Sequence, residues 1–318
     1  RSVVSGKFFH NSFTSICFFD FQEMEIIPRQ LRQGQCCGEI QGLYSEKEEN
    51  MGEKKVRAVA AGFSCMDVYE KLNRCYPTGN GVDWGVHLQR LGISVSVVSV
   101  TGTDEYGKTM RKMLQQEGIE ISHLHEKEGN TCQMKMDLIN GVDRVHLEEV
   151  EGVMKDFALT EEDKEYIKTF DYLHTDLFGN ILKDLPELRA AGVKVVMDFS
   201  IFSGNPEYNT DENFKNVDYA FLSYEKEDDY IREHIKRIQS FGAKIVTATL
   251  GENGSLSYDG ERYYHYGIVP VKVVNTVGAG DSYIAGFTYG IMNGWEIPKC
   301  QEFGAKISSE VITKFEPY

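Results

Sequence analysis

Val271-Lys272-Val273-Val274 leads into Asn275-Thr276-Val277-Gly278-Ala279-Gly280-Asp281, and residues 282–292 continue as an apolar run rich in small side chains. The order reads as strand, tight glycine turn, helix. Glycines let the backbone turn sharply, so consecutive amide N–H groups can point outward at the start of a helix whose dipole is positive there. Such a start binds anions. A carboxylate at Asp281 is out of place in an anion site unless it has a task, and the natural one is to take a proton from a hydroxyl attacking phosphorus. The plainer alternative is a glycine-rich turn with an acid in the first helical turn, because short glycine patterns are weakly specific. It is not a P-loop, since no Gly-Lys-Ser/Thr follows.

The chain has 318 residues, 41% of them hydrophobic and 26% charged, which is enough for one large α/β core. Its formal charge of −15 disfavours sequence-independent nucleic-acid binding, which depends on Lys and Arg neutralising phosphates. The same charge suits a small-molecule enzyme and would not repel a substrate carrying an ammonium group. Seven cysteines, an odd number without a metal-spaced pair, predict reduced thiols in the cytoplasm. No apolar run reaches the roughly 18 residues of a membrane helix, so no membrane partner is expected. Residues 1–50 lack periodicity, and Lys47-Glu48-Glu49 can be encoded by a ribosome-binding-site-like sequence just ahead of Met51. The expectation is that 1–50 is upstream-translated or otherwise non-native and that 51–318 forms one domain.

From residue 56 strands alternate with helices. Strands are predicted at 56–61, 95–100, 172–175, 193–198, 219–223 and 245–250, and helices at 82–91, 106–117, 181–191, 227–241 and 299–313. Thr160 with Asp163 three residues on reads as a helix start. The runs 132–138 and 144–149 flank Asn140-Gly141, a hairpin signal, and two short strands, 256–258 and 263–266, precede the opening stretch. The fold class is α/β: a doubly wound, mostly parallel sheet between helices, with a small antiparallel β lid at about 65–80 and 130–150.

In such sheets ligands sit beyond the carboxyl ends of the strands. Asp67 after the first strand, Asp198 at the end of a central one, Thr249-Leu250-Gly251 and Asp281 would then face one crevice. Gly79-Asn80-Gly81 fails as a dinucleotide fingerprint, because Cys75-Tyr76-Pro77 does not read as a strand; Asn80 can either hydrogen-bond a polyol or simply cap a helix. Thr249 through Gly254 suits close approach to a nucleotide, with a hairpin turn as the alternative. Gly102 through Gly107 reads as structural. His123 and His125 share one face of a short extended segment and read as incidental rather than as zinc ligands. Gly286, Gly290 and Gly294 point to close helix packing.

These motifs, in this order, resemble the ribokinase-like (phosphofructokinase-B) carbohydrate kinases over residues 56–318. Asn275 to Asp281 resembles the family's Asp-Thr-x-Gly-Ala-Gly-Asp, Thr78 to Gly81 its Gly-Gly-Asn-Ala, Gly102 to Gly107 its Gly-x-Asp-x-x-Gly, and Thr249 to Gly254 its Thr-x-Gly-x-x-Gly. Within the family, residues 151–159, Asp198-Phe199-Ser200 and 250–255 look most like the fructoselysine kinases. The resemblance implies ATP-dependent phosphorylation of a sugar primary hydroxyl, most specifically the 6-hydroxyl of fructoselysine. Asp281 would be the general base, with the amides of Gly278, Ala279 and Gly280 facing the transferring phosphoryl group. Asp67, Gly79 and Asn80 would hold the sugar, and Thr249, Gly251, Gly254 and Ser223 the nucleotide. Mg2+ would bridge the phosphates, with Glu227 contributing through water.

Three departures stand out. Asn275 replaces an Asp that in relatives helps bind a monovalent cation. Ser223 and Glu227 stand four apart in place of Asn-x-x-Glu. Asp83 occupies a position usually held by Asn. A short lid leaves room for a lysine tail, whose ammonium Asp83 could meet, and Arg144 either meets a substrate carboxylate or phosphate or is a solvated hairpin arginine. The rival readings are a kinase for another ketose, Amadori compound or nucleoside, and a non-catalytic nucleotide sensor on the same fold. The lid's sheet edge could pair with a second copy or remain free.

Overall fold

A computed structural model of the chain describes residues 55–139, 143–208 and 210–318; the 1–50 segment and the Asn140-Gly141 turn lie outside them. Among the described residues thirteen strands form two sheets. The larger, nine-stranded sheet contains β1 (Arg57–Ala61), β4 (Ser94–Gly102), β5 (Leu124–Lys127), β8 (Tyr172–Asp176), β9 (Lys194–Asp198), β10 (Tyr219–Ser223), β11 (Ile245–Thr249), β12 (Ser255–Tyr258) and β13 (Tyr263–Tyr266), in the order β13-β12-β11-β10-β9-β8-β1-β4-β5. Every pair from β11 to β5 is parallel, and β12 and β13 add an antiparallel margin. The parallel strands read as near-continuous apolar runs because helices cover both of their faces.

The helices that matter for the site are α1 (Asn80–Arg90), α2 (Glu105–Gln116), α3 (Glu161–Ile167), α4 (Leu185–Ala190), α5 (Thr210–Phe214), α6 (Asp229–Gln239), α7 (Ala279–Met292) and α8 (Ile297–Val311). Two cores separate across the sheet. One gathers Val59, Leu173, Val195, Phe199 and Ile235, the other Trp84, Leu88, Val97, Phe221 and Phe287. α7 and α8 pack closely because a Cβ on Gly286 would lie 2.9 Å from the Gly304 Cα. Gly290 meets Cys300 in the same way, whereas Gly294, at φ 69°, belongs to the turn after α7 and not to the packing stripe.

The helix starts follow their caps. Asp104 caps α2 through the Gly107 amide, Asp228 caps α6 through Ile231, and Thr160 with Asp163 forms a reciprocal box at α3. The helix expected over 181–191 is shorter, since Pro186 places the α-helical start at Leu185 after a single 3-10 turn.

The second sheet has the order β3-β2-β6-β7, from β2 (Cys65–Tyr69), β3 (Arg74–Thr78), β6 (Gln133–Ile139) and β7 (Asp143–Val150). Its outer pairs are antiparallel and its central β2–β6 pair is parallel. Two expectations are corrected here. Cys75-Tyr76-Pro77 does lie in a strand; Pro77 is tolerated because β3 is an edge strand. Asp67 lies inside β2 of this sheet rather than in the loop after β1. A third correction concerns the opening stretch, because residues 271–274 form no strand. The Val274 amide donates to the Ile312 carbonyl oxygen (2.8 Å), so the segment runs against the chain after α8 instead of extending the sheet.

Candidate active site

The carboxyl ends of β8 and β9, the start of α1, the start of α7 and the inner face of the small sheet meet around a group of carboxylates. At the end of β9, Asp198 accepts from Asn80 Nδ2 (2.9 Å) and from the Ser200 amide (2.8 Å). Ser200 adopts φ 48°, a left-handed conformation, while its N–H bends back onto that carboxylate. At the end of β8, Asp176 accepts from the Phe178 amide at 2.7 Å. Burial pushes Asp198 up to about 6 and Asp176 up to about 7.

Asp67 projects from β2 with its Oδ2 3.4 Å from the Tyr76 hydroxyl. Burial raises it to about 6, against the opposing pull of Arg144. Asp83, in the first turn of α1, is 2% exposed, and Thr78 Oγ1 donates to its Oδ2 at 2.7 Å. Its Oδ1 has no hydrogen-bond partner among the described residues. Burial first, and then the nearby Asp281, raise its pKa well above the ordinary carboxylate range. A residue so enclosed is not placed to meet a lysine ammonium at the crevice mouth, as the sequence suggested.

Asp281 keeps some solvent contact at the start of α7 yet lies deep between the crevice walls. Its pKa is raised to about 7, by burial first and then by Asp198 and Asp176, with Arg144 pulling the other way. Arg144 is exposed on β7, and its charge acts on Asp67, Asp83, Asp198 and Asp281 together.

The turn before α7 has the form of an anion cradle. Gly278 takes φ 71°, and the Ser282 amide is the first to close an intrahelical bond, to the Gly278 carbonyl oxygen (2.9 Å). The Gly280 amide precedes that first bond, as helix starts require. A Cβ on Gly280 would meet nothing within 4 Å, so the helix start is open beside that residue. A Cβ on Gly251, beyond β11, would likewise meet open space. Ser223 Oγ and Thr249 Oγ1, side by side on β10 and β11, lie 3.2 Å apart on that flank.

Glu227 is placed differently from expectation. It pairs with Arg232 and lies 3.8 Å from His265 Nε2, so protein partners already meet its charge. No cluster of three or more acidic, histidine or cysteine side chains among the described residues is arranged to hold a metal ion. His123 and His125 both face Asp163, at 2.8 and 3.0 Å, which ties β5 to the start of α3 in a structural role. Gly102 to Gly107 is structural too. Asp104 receives the Gly107 amide (2.9 Å), Thr131 Oγ1 (2.6 Å) and the Thr131 amide (2.9 Å), fixing the chain where it enters β6.

Asp176 escaped the sequence reading, although an acid directly after an apolar strand was a usable signal. The 312–318 segment escaped it altogether. Tyr318 hydroxyl donates to the Pro77 carbonyl oxygen (2.6 Å), and Phe315 lies against Tyr69 and Tyr76, so this segment forms the wall behind Asp83. The pattern of residues 312–318 carries no motif that would place them there.

A family model described as pfkB family carbohydrate kinase matches residues 63–318. Fructoselysine 6-kinases of Shigella flexneri and Escherichia coli are each 38% identical to the chain over 251 residues, 79% of it and 95% of theirs. A fructosamine kinase of Bacillus subtilis is 30% identical over 241 residues, 73% of this chain and 82% of its own. Among solved structures, Arabidopsis thaliana ribokinase complexed with ribose and ATP matches with a TM-score of 0.70 at 18% identity, covering 82% of this chain and 94% of that one. A putative ribokinase II of Escherichia coli in complex with ATP and Mg2+ matches with a TM-score of 0.70 at 16% identity, over 82% and 94% of the two chains. At those identities the likeness is one of fold.

Proposed function

The chain belongs to the pfkB family of carbohydrate kinases, and from that premise we propose that it transfers the terminal phosphoryl group of ATP to the 6-hydroxyl of fructoselysine. The observation that carries the sugar-kinase chemistry is the pairing of Asp281, raised to about 7, with the open amide cradle at Gly280. Fructoselysine is the choice among sugars because the two relatives at 38% identity bear that name.

In this reading residues 51–318 act as one kinase domain, with the small sheet as its lid. Asp67, Gly79 and Asn80 hold the sugar hydroxyls, and Asp198 fixes Asn80 for that work. Thr249, Gly251, Gly254 and Ser223 hold the nucleotide. ATP would supply the phosphoryl group, and Mg2+ bound with its phosphates would offset their charge. Asp281 accepts the proton of the attacking hydroxyl, and amides from Gly278, Ala279 and Gly280 face the charge that develops on the transferring group. A base near pH 7 is matched to operating conditions. Arg144 offers its guanidinium to a phosphate or to the substrate carboxylate, and the buried Asp83 shapes the floor of the site. Any help from Glu227 to magnesium would require it to leave Arg232.

ADP release measured with fructoselysine, fructose, ribose and adenosine tests the proposal. The expected result is a kcat/KM for fructoselysine well above the other three. Equal rates on fructose or ribose would remove the Amadori assignment and leave a broader ketose kinase.

A further inference from the structure

The family resemblance implies a monovalent cation beside residue 275, where relatives carry a carboxylate, and the residues present here do not fit one. Asn275 is fully buried. Its Nδ2 donates to the Phe315 carbonyl oxygen (2.8 Å), and its Oδ1 accepts from the Val277 amide (3.1 Å). Only this orientation of the amide satisfies both neighbours, since one is an acceptor and the other a donor. The Ile312 carbonyl oxygen is engaged too, receiving the Val274 amide at 2.8 Å and the Asn275 amide at 3.4 Å.

A cation at this position would need oxygens turned toward it and negative charge nearby. The loop presents N–H groups to the Ile312 and Phe315 carbonyls instead. A carboxylate at 275 could not donate to Phe315, and two oxygens would face each other in a buried place; a bound cation would relieve that repulsion. An amide needs no such help.

We propose that the Asn275 side chain replaces the monovalent cation, tying the anion-binding turn directly to the 312–318 segment, so that this kinase works and folds independently of potassium. The link reaches the small sheet as well. Phe315 packs on Tyr69 at 5.2 Å and on Tyr76 at 6.3 Å between ring centroids, and the Arg74 guanidinium lies 4.5 Å from its ring. Asn275 thereby couples the cradle at Gly278 to the sheet that carries Asp67.

The test compares potassium with tetramethylammonium at constant ionic strength. Wild-type protein is expected to show the same Tm without substrates and turnover changed by less than about twofold, because no site gains ligand energy from potassium. Asn275→Asp is expected to melt lower in tetramethylammonium and to recover Tm and turnover as potassium is added. A saturable potassium-dependent rise in wild-type Tm, or an increase of about tenfold in wild-type turnover, would overturn the proposal. An Asn275→Asp protein that folds and ignores potassium would overturn the replacement as well. If that variant does not fold, the wild-type titration decides alone. Melting requires no sugar, so this result stands apart from whether fructoselysine is the substrate.

Discussion

Asn80 Nδ2 donates to Asp198 Oδ2 across 2.9 Å although the two residues lie 118 positions apart, one opening α1 and the other closing β9. The bond fixes a polyol-binding amide against the central sheet. Asn80→Leu leaves Asp198 with the Ser200 amide alone and deprives the sugar of a hydrogen-bonding group. Loss of one partner from a buried carboxyl costs ~1–3 kcal/mol. The expected outcome is a modest fall in Tm together with a rise in sugar KM of about tenfold or more, while the KM for ATP is unchanged. Steady-state kinetics varying each substrate would expose an equal effect on both, which would speak against the assignment of Asn80 to the sugar.

Asp281→Asn keeps the shape of the side chain and removes the base. General-base assistance is worth ~10²–10⁴ in rate, so kcat should fall by at least that while the melting curve stays that of a folded protein. In the wild type, kcat/KM should rise with pH through about 7, where Asp281 loses its proton. Arg144→Met withdraws the charge that holds Asp281 down, and the acid limb should move to higher pH. A profile that stays in place would remove Arg144 from the electrostatics of the site.

Two glycines of the same turn should respond in opposite ways. At Gly278 a Cβ would lie 2.5 Å from the Pro317 Cβ, and φ is 71°, so Gly278→Ala should destabilise the fold. At Gly280 the space is open and the backbone is helical, so Gly280→Ala should leave Tm nearly unchanged and raise the KM for ATP. Thermal melts and nucleotide kinetics on the pair distinguish a fold requirement from a phosphate requirement.

Stability should fall as pH rises across the acidic range. Asp67, Asp176, Asp198 and Asp281 have an ordinary value of 3.8 and are raised to between about 6 and about 7 in the folded protein. Between those limits the folded state binds more protons than the unfolded one, so their contribution is fully present below about 4 and is lost as pH passes the folded values. Tm should therefore be higher near pH 5.5 than near pH 8, and Asp281→Asn should flatten that slope. A Tm that climbs over this interval would show that other groups dominate.

The sequence by itself determined the alternation of apolar strands with helices, the helix start at Thr160, and the turn from Gly278 to Asp281. Each depends on residues within one turn or strand of one another, so local spacing was enough. Within the β lid expected at about 65–80 the separate strands β2 and β3 were not legible, because Pro77 and polar neighbours break the local pattern, and pairing with β6 and the edge position make them a sheet. The roles of Asp83, Arg144 and Asn275 were decided by tertiary structure. Burial raises the Asp83 carboxyl well above its ordinary range, β7 brings the Arg144 charge to bear on four carboxyls, and the return of the 312–318 segment gives the Asn275 amide the carbonyl it binds. Charge state and hydrogen-bond partner depend on what packs within a few ångströms, and residues distant in the chain supply those neighbours.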